Sequence, residues 1–171
     1  MAQWQNDDGL TVRFGQDQAR ETKSLMAKTG QVGPKEYMVV DLNWDDLPTF
    51  TTDLNNDGTN NGFSDQDAYI PAGSYITKAS LIVETAFTSA GATTLSIGTA
   101  VLAGTALDAD GIDVTIAKAA LAADLAVVCD GAQVAGTTLV TSDAYLTTTV
   151  ATGPFTAGNA KLIIEYIQVA P

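Results

Sequence analysis

The fold class is decided by the stretch Thr77-Lys78-Ala79-Ser80-Leu81-Ile82-Val83-Glu84-Thr85-Ala86-Phe87. Apolar side chains recur at every second position on one side of it, while Lys78, Ser80 and Glu84 occupy the other side. Successive side chains of a β-strand point to opposite faces of a sheet, so this pattern is typical of a strand packed on a core from one side. The apolar positions are Ala79, Leu81, Val83 and Phe87.

The same period of two recurs before and after this stretch. In each run one side is more polar than the other, so the runs indicate antiparallel sheets that cover a core with one face. In the first run Trp44 falls in phase with Val40 and Leu42, so we expect Trp44 in the core. The runs are Tyr37 to Trp44, Thr93 to Ile97, Tyr145 to Val150 and Leu162 to Tyr166.

Short turn signals rich in glycine, aspartate and proline separate the predicted strands. The alanine-rich segment Ala117 to Ala123 interrupts the pattern, and we expect one short helix there. Roughly eight strands joined in this way predict an all-β fold, an antiparallel two-sheet β-sandwich with a jelly-roll-like arrangement. The turn signals are Asp57-Gly58, Pro71-Ala72-Gly73, Ala90-Gly91, Asp110-Gly111, Asp130-Gly131 and Gly153-Pro154.

Charge is distributed unevenly along the 171 residues, whose net charge is −12. Residues 1–35 carry five basic and four acidic side chains, a net of +1, whereas residues 36–171 carry three basic and sixteen acidic ones, a net of −13. An acidic chain of this kind is suited neither to nucleic acid nor to an anionic membrane. We therefore predict an extended N-terminal contact arm, residues 1–35, and a β-sandwich body, residues 36–171. The alternative is that residues 1–35 form a first strand and a loop of the same domain.

Residues on which many enzymes depend are missing. The chain has no histidine, which removes the usual general base near neutral pH and the commonest metal ligand. A Ser-His-Asp or Cys-His arrangement is therefore excluded. Paired carboxylates can hydrolyse glycosides, but several aspartates here neighbour glycine in predicted turns, where aspartate is favoured for its backbone hydrogen bonds. We expect a protein that is not an enzyme.

The single cysteine, Cys129, cannot form an internal disulfide and follows the apolar run Leu125 to Val128. This position favours a small buried side chain over a reactive thiol. The start, Met1-Ala2-Gln3-Trp4, lacks the basic and apolar regions of a signal peptide, and no apolar run reaches the length of a membrane span. We therefore expect a protein that is made and kept in a cytoplasm until it is assembled or released.

The loop Asp53-Leu54-Asn55-Asn56-Asp57-Gly58-Thr59-Asn60-Asn61 places oxygen-bearing side chains and a glycine as the opening of a calcium loop does. In that alternative the calcium ligands are Asp53, Asn55 and Asp57. However, the twelfth position holds Ser64 in place of a bidentate glutamate, and no helical pattern flanks the loop. We therefore favour a solvated loop without a bound metal or other cofactor over a calcium site.

Stretches from both ends and the middle of the chain carry a resemblance. They are Asn6 to Gly15, Thr22-Lys23, Gly33-Pro34, Ile70 to Ile76, Val83 to Phe87, Leu95 to Thr99, Thr156 to Leu162 and Glu165-Tyr166. These stretches are similar to the "NxDGLxVRFG", "LPAGAxV…VxTAF", "LxVG" and "TAGxxxLxxEY" motifs of the tailed-bacteriophage head decoration, or cement, protein family. Residues 53–67 and the alanine-rich segment near 117–123 have no counterpart in that pattern.

The resemblance implies a non-enzymatic virion protein, made in the host cytoplasm, that assembles as a homotrimer on the exterior of the capsid. Its partner would be the lattice of the major capsid protein, and its role would be to stabilise the head. The alternative function is a head- or tail-fibre module that recognises host surface glycans. On the first interpretation the arm carries the capsid contact, with Trp4 as an anchor in a partner's pocket; the alternative for Trp4 is packing on its own domain. The predicted contact residues are Trp4, Leu10, Val12, Arg13 and Phe14.

Overall fold

The computed structural model describes residues 2–5, 11–14, 35–49, 68–135 and 137–169. The chain divides into two compact units, residues 1–34 and residues 35–171, and each unit has its own β structure. In the first unit, strands β1 (Ala2–Gln5) and β2 (Thr11–Phe14) form an antiparallel pair. The different roles predicted for residues 1–35 and 36–171 stay a prediction.

The described part of the second unit forms two antiparallel sheets. The four-stranded sheet has the order β4-β10-β6-β7, and the five-stranded sheet has the order β3-β11-β5-β8, with β9 also paired to β5. The predicted all-β, two-sheet sandwich is thereby confirmed, while its jelly-roll arrangement stays a prediction. The strands are β3 (Lys35–Asn43), β4 (Tyr69–Ile70), β5 (Ser74–Thr88), β6 (Thr94–Ala100), β7 (Ala106–Ala117), β8 (Ala126–Val128), β9 (Leu139–Val140), β10 (Ala144–Ala151) and β11 (Ala157–Gln168).

The core of the second unit contains the inward side chains of both sheets. In β11, burial alternates along the strand, and Leu162 and Ile164 are fully buried. The four-stranded sheet contributes Leu95, Ile97 and Leu146 to the same core. Burial of each of these large side chains stabilises the fold by roughly 1.5–3 kcal/mol, so the alternation seen in the sequence is the main source of stability.

One predicted turn is wrong, because Asp110-Gly111 lies inside strand β7. Gly111 is buried there, and a Cβ on it would lie 2.6 Å from Oε1 of Gln133. The pairing of β6 with β7 is also irregular in this region. Gly111 therefore lets the Gln133 side chain approach the backbone of a distorted strand. Close approach of this kind is a common reason for a glycine inside a strand.

Trp44 is a second correction. Strand β3 ends at Asn43, and the backbone N–H of Asp46 donates to the carbonyl of Asn43 at 3.1 Å to close a turn. The strand alternation therefore stops one residue before Trp44, whose side chain is 43% exposed and not in the core.

The alanine-rich segment forms a single turn of 3₁₀ helix, Lys118–Ala120, which follows β7 directly. This agrees with the short helix predicted for Ala117 to Ala123, although the helix is tighter and shorter than that range. Among the residues that the structure describes, no helix has the length and apolar character needed to cross a membrane.

Candidate interaction surface

The side of the five-stranded sheet that faces away from the core is built from rows of cross-strand neighbours. We call this side the outer face. Its middle row contains Val39, Ile163, Ser80 and Val128. The next row on one side contains Tyr37, Glu165 and Lys78, and the next on the other contains Asp41, Lys161, Ile82 and Ala126.

The outer face is unusually apolar for an exposed surface. Val128 is 70% exposed, Tyr37 is 61% exposed and Val39 is 58% exposed, and Ile82 is also exposed. A shallow groove of about 390 Å³ runs between strands β3, β11, β5 and β8 over the same residues. Contiguous exposed apolar groups rimmed by polar ones mark interaction sites on soluble proteins, so this face is the candidate binding surface of the body.

The outward side of the four-stranded sheet has a different chemistry. At its centre, Ser96 of β6 is opposite Thr149 of β10, and Thr147 of β10 is opposite Gly98. Hydroxyl groups of this kind hydrogen-bond water readily, so the centre of that side is suited to solvent. The centres of the two sides are therefore chemically distinct, although Tyr69 and Val114 are exposed elsewhere on the four-stranded sheet.

One end of the outer face holds a network around Glu165. The ammonium of Lys35 donates to Oε1 of Glu165 at 2.8 Å, and the Thr77 hydroxyl donates to the same oxygen at 2.5 Å. The Tyr37 hydroxyl donates to Oε2 at 3.2 Å. The pKa of Glu165 is lowered to about 2, mainly by the hydrogen bond from the Lys35 ammonium and next by the hydrogen bond from the Thr77 hydroxyl. Glu165 also raises the pKa of Lys35.

The other end of the outer face holds a second charged group centred on Lys161. Its ammonium lies 2.6 Å from Oδ1 of Asp41 and 3.4 Å from Oε1 of Glu84. The hydrogen bond to Asp41 is the main cause of a raised pKa of Lys161. The middle row thus has a charged network on each of its two sides.

The Glu165 network gives a pH-dependent prediction. Because the folded state lowers the pKa of Glu165 from 4.5 to about 2, this carboxylate stabilises the fold above pH 4.5, and the stabilisation is lost as the pH falls towards 2. We expect the Glu165→Gln variant to be less stable than the parent at pH 7, with the difference shrinking between pH 4.5 and pH 2. Urea unfolding of both proteins at several pH values measures it. Glu84→Gln is the control, and an equal pH dependence of the two variants would contradict the assignment.

Basic side chains of the second unit are concentrated on the outer face. Residues 35–171 contain four lysines and no arginine or histidine, and Lys35, Lys78 and Lys161 all belong to the outer face or its rim. The fourth, Lys118, lies elsewhere and donates to the carbonyls of Ser89 and Gly91. The outer face is therefore close to neutral, although the body as a whole is strongly acidic.

Four of the five predicted contact residues lie on the β1–β2 pair. Trp4 is opposite Val12, and Gln3 is opposite Arg13. Phe14 is opposite Ala2 at the end of the pair, so the structure brings the strands that hold these residues together in one hairpin. Leu10 lies outside the described residues, and so do the candidate calcium ligands Asp53, Asn55 and Asp57. The contact role and the calcium alternative both stay predictions.

Cys129 is buried as predicted, with 2% of its surface exposed. Burial, followed by the charges of Asp113 and Asp130, raises the pKa of its thiol to about 12, so the thiol is neutral and poorly reactive. Burial and the nearby Asp130 also raise the pKa of Asp113. In the ranges that the structure covers, no group of three or more acidic, cysteine or histidine side chains is arranged to hold a metal ion.

The outer face is the functional feature that our sequence interpretation missed. The signal was present in short runs of consecutive apolar residues: Met38 to Val40 in β3, Leu81 to Val83 in β5 and Leu162 to Ile164 in β11. In a strand, three such residues in succession place apolar groups on both faces. The alternation in Tyr37 to Trp44 places Val39 on the more polar side of the strand with Tyr37 and Asp41, although Val39 is itself apolar.

Comparisons with known proteins find likeness only at the level of structure. No protein-family model and no curated protein sequence matches the chain. A chain in the "acidic stable capsid structure" of Helicobacter pylori bacteriophage KHP30 superposes with a TM-score of 0.51 and 12% identity, covering 79% of this chain and 89% of that chain. A chain in the capsid of Ralstonia phage GP4 superposes with a TM-score of 0.51 and 16% identity, covering 85% and 96%. The fold is shared with phage capsid chains. At these identities the likeness concerns the fold alone.

Proposed function

We propose that the protein is a structural component of a tailed-phage virion and serves as a decoration, or cement, protein on the outside of the head. The observation that carries this proposal is the all-β sandwich, which is shared over most of both chains with components of two phage capsid structures. The motifs of the sequence support the same function. We propose no catalytic activity, and no nucleic-acid or membrane partner, for this acidic chain.

A cement protein stabilises a head by binding several capsid subunits at once. The affinity of such a protein comes from multivalency, because once one contact has formed the others are intramolecular. We propose that the partner is the major capsid protein and that three copies of the chain assemble as a homotrimer on its lattice, since a closed ring offers three equivalent contacts to a symmetric lattice. The acidic body would keep decorated heads apart in solution by electrostatic repulsion.

The proposed capsid contact is the β1–β2 hairpin together with Leu10, which immediately precedes β2 in sequence. Trp4 is the anchor, since tryptophan contributes more than most residues to the free energy of binding at protein interfaces. Arg13 supplies a cation for acidic groups on the shell. The candidate calcium ligands Asp53, Asn55 and Asp57 have no part in this contact.

The proposal is tested on heads of the phage that encodes the chain. We expect electron microscopy to show density for the sandwich on the exterior of the capsid, and we expect heads that lack the chain to break at a lower temperature. Absence of the chain from purified particles would contradict the proposal. Specific binding to host glycans by the chain alone would favour a fibre module instead.

Trp4→Ala tests the contact residues. We expect this variant to bind undecorated heads at least about thirtyfold more weakly, which corresponds to about 2 kcal/mol for an interface anchor. The matched control is Trp44→Ala, which removes the other tryptophan from an exposed turn of the body and should leave head binding unchanged. Binding is measured by co-sedimentation with heads, and equal affinities of the two variants would rule out the hairpin as the anchor.

A further inference from the structure

We propose that the outer face of the five-stranded sheet pairs with the same face of a second copy of this chain about a two-fold axis. The first observation in support is the exposed apolar middle of the face, where Val128, Val39 and Tyr37 are each more than half exposed. Side chains of this kind, aligned in rows across four strands, form the kind of flat surface that packs against another sheet about 10 Å away.

The second observation is the local charge balance. A second copy is itself acidic, so two copies repel each other wherever acidic surfaces meet. Three of the four lysines of residues 35–171 belong to the outer face or its rim, together with Asp41, Glu84 and Glu165. The three rows themselves hold Lys78 and Lys161 against Asp41 and Glu165, so they carry no net charge and allow two copies to approach closely.

The third observation is the polarity of the face along its strands. On β11, Glu165 lies two residues to one side of Ile163, and Lys161 lies two residues to the other side. A two-fold axis that runs along the middle row places Glu165 of each copy over Lys161 of the other. Both charge contacts then form at once, as the symmetry of an isologous dimer requires. The face is therefore complementary to itself.

The size of the face indicates how strong the pairing is. Strands lie about 4.8 Å apart and rise about 3.4 Å per residue, so about nine residues in each of β3, β11 and β5 together with the short β8 give a plane of roughly 300 Å². Stable interfaces bury about 800 Å² per partner, so we expect reversible pairing with a Kd on the order of 100 µM. This contact concerns the chain alone in solution, and its test is independent of binding to heads.

The first test is the association state of the full chain. Sedimentation equilibrium between 10 µM and 1 mM should show a monomer–dimer equilibrium. Val128→Glu, at a highly exposed position on β8, should raise the Kd at least tenfold. The matched control is Val114→Glu, at an exposed valine of β7 in the other sheet, and should leave the Kd unchanged. A monomer at 1 mM, or a dimer that is unaffected by Val128→Glu, would overturn the proposal.

A charge exchange tests the two-fold arrangement itself. Lys161→Glu alone and Glu165→Lys alone each place like charges over one another in both contacts, so each should raise the Kd at least tenfold. The double variant, and an equimolar mixture of the two single variants, restore opposite charges in both contacts and should recover the original Kd. If neither recovers it, the two-fold arrangement is wrong.

Coverage of the face by another part of the same chain is a further outcome of the test. Val128→Cys places a thiol at the most exposed position of the middle row, while the native Cys129 is buried. At 10 µM, where the chain is monomeric, we expect this thiol to react with a maleimide as fast as one introduced by Val114→Cys. At 1 mM it should react several times more slowly. Slow labelling at both concentrations would show that the chain covers its own face and would overturn the proposal.

Discussion

Replacing Gly98 with alanine is expected to lower the free energy of unfolding by about 3 kcal/mol, at the upper end of the cost of an overpacked core. Gly98 lies in β6, and a Cβ on it would overlap the carbonyl group of Ala109 and the carbonyl oxygen of Asp108 in β7. Both obstacles are backbone atoms, which cannot rotate away as a flexible side chain can. The two strands would have to separate where their pairing is already irregular.

The control for this prediction is Gly91→Ala. A Cβ on Gly91 would lie 3.4 Å from the carbonyl oxygen of Thr152, which is close to an ordinary van der Waals distance. We expect this substitution to change the free energy of unfolding by no more than about 1 kcal/mol. Urea unfolding followed by circular dichroism compares the two variants with the parent. Equal effects would mean that β6 and β7 do not approach as closely as described.

Replacing Leu162 with alanine is the second large effect, with an expected loss of roughly 2 to 5 kcal/mol. Leu162 is fully buried on β11, between Val40 of β3 and Leu81 of β5, so its removal leaves a cavity at the centre of the core. Ile163 is the adjacent residue on the same strand, but it lies on the outer face.

The Ile163→Ala variant is the matched control, and we expect it to lose less than half as much stability as Leu162→Ala. The two residues are adjacent on one strand and are of nearly equal size. The difference between the two stability losses therefore shows which side of the sheet faces the core. It should be made at about 10 µM, where association through the outer face does not stabilise the folded state. A larger loss for Ile163→Ala would place the core on the opposite side of the sheet.

Much of the fold follows from local signals in the sequence. Alternation in Thr77 to Phe87 and in Leu162 to Tyr166 predicted strands that the structure contains, with the predicted sides buried. Gly111 could not be placed in the same way, because its close neighbour Gln133 is distant in sequence. A glycine needed for close packing and a glycine needed for a turn carry the same local signal, and only the tertiary partner distinguishes them.

The candidate surface was harder to predict for a related reason. The contact residues predicted from the sequence all lie in the first thirty-five residues. The outer face, by contrast, forms only when strands that are distant in sequence pair side by side. Val39 and Ile163 are neighbours because β11 pairs with β3, and Val128 joins the same row through β5. Apolar runs indicate that both sides of these strands are apolar, but the strand order determines which residues form one surface.

The position of β11 in the five-stranded sheet has a consequence for synthesis. Each neighbour of this central strand precedes it in the chain, and Asp41 of β3 is 120 residues away from its partner Lys161. Strands β3 and β5 emerge from the ribosome before β11, the strand that pairs with both, has been synthesised. Until then, the edges of β3 and β5 that pair with β11 stay open. Unpaired edges of this kind recruit strands from other nascent chains. The protein therefore completes its fold late, and slow translation between β5 and β11 would prolong the interval in which it can aggregate.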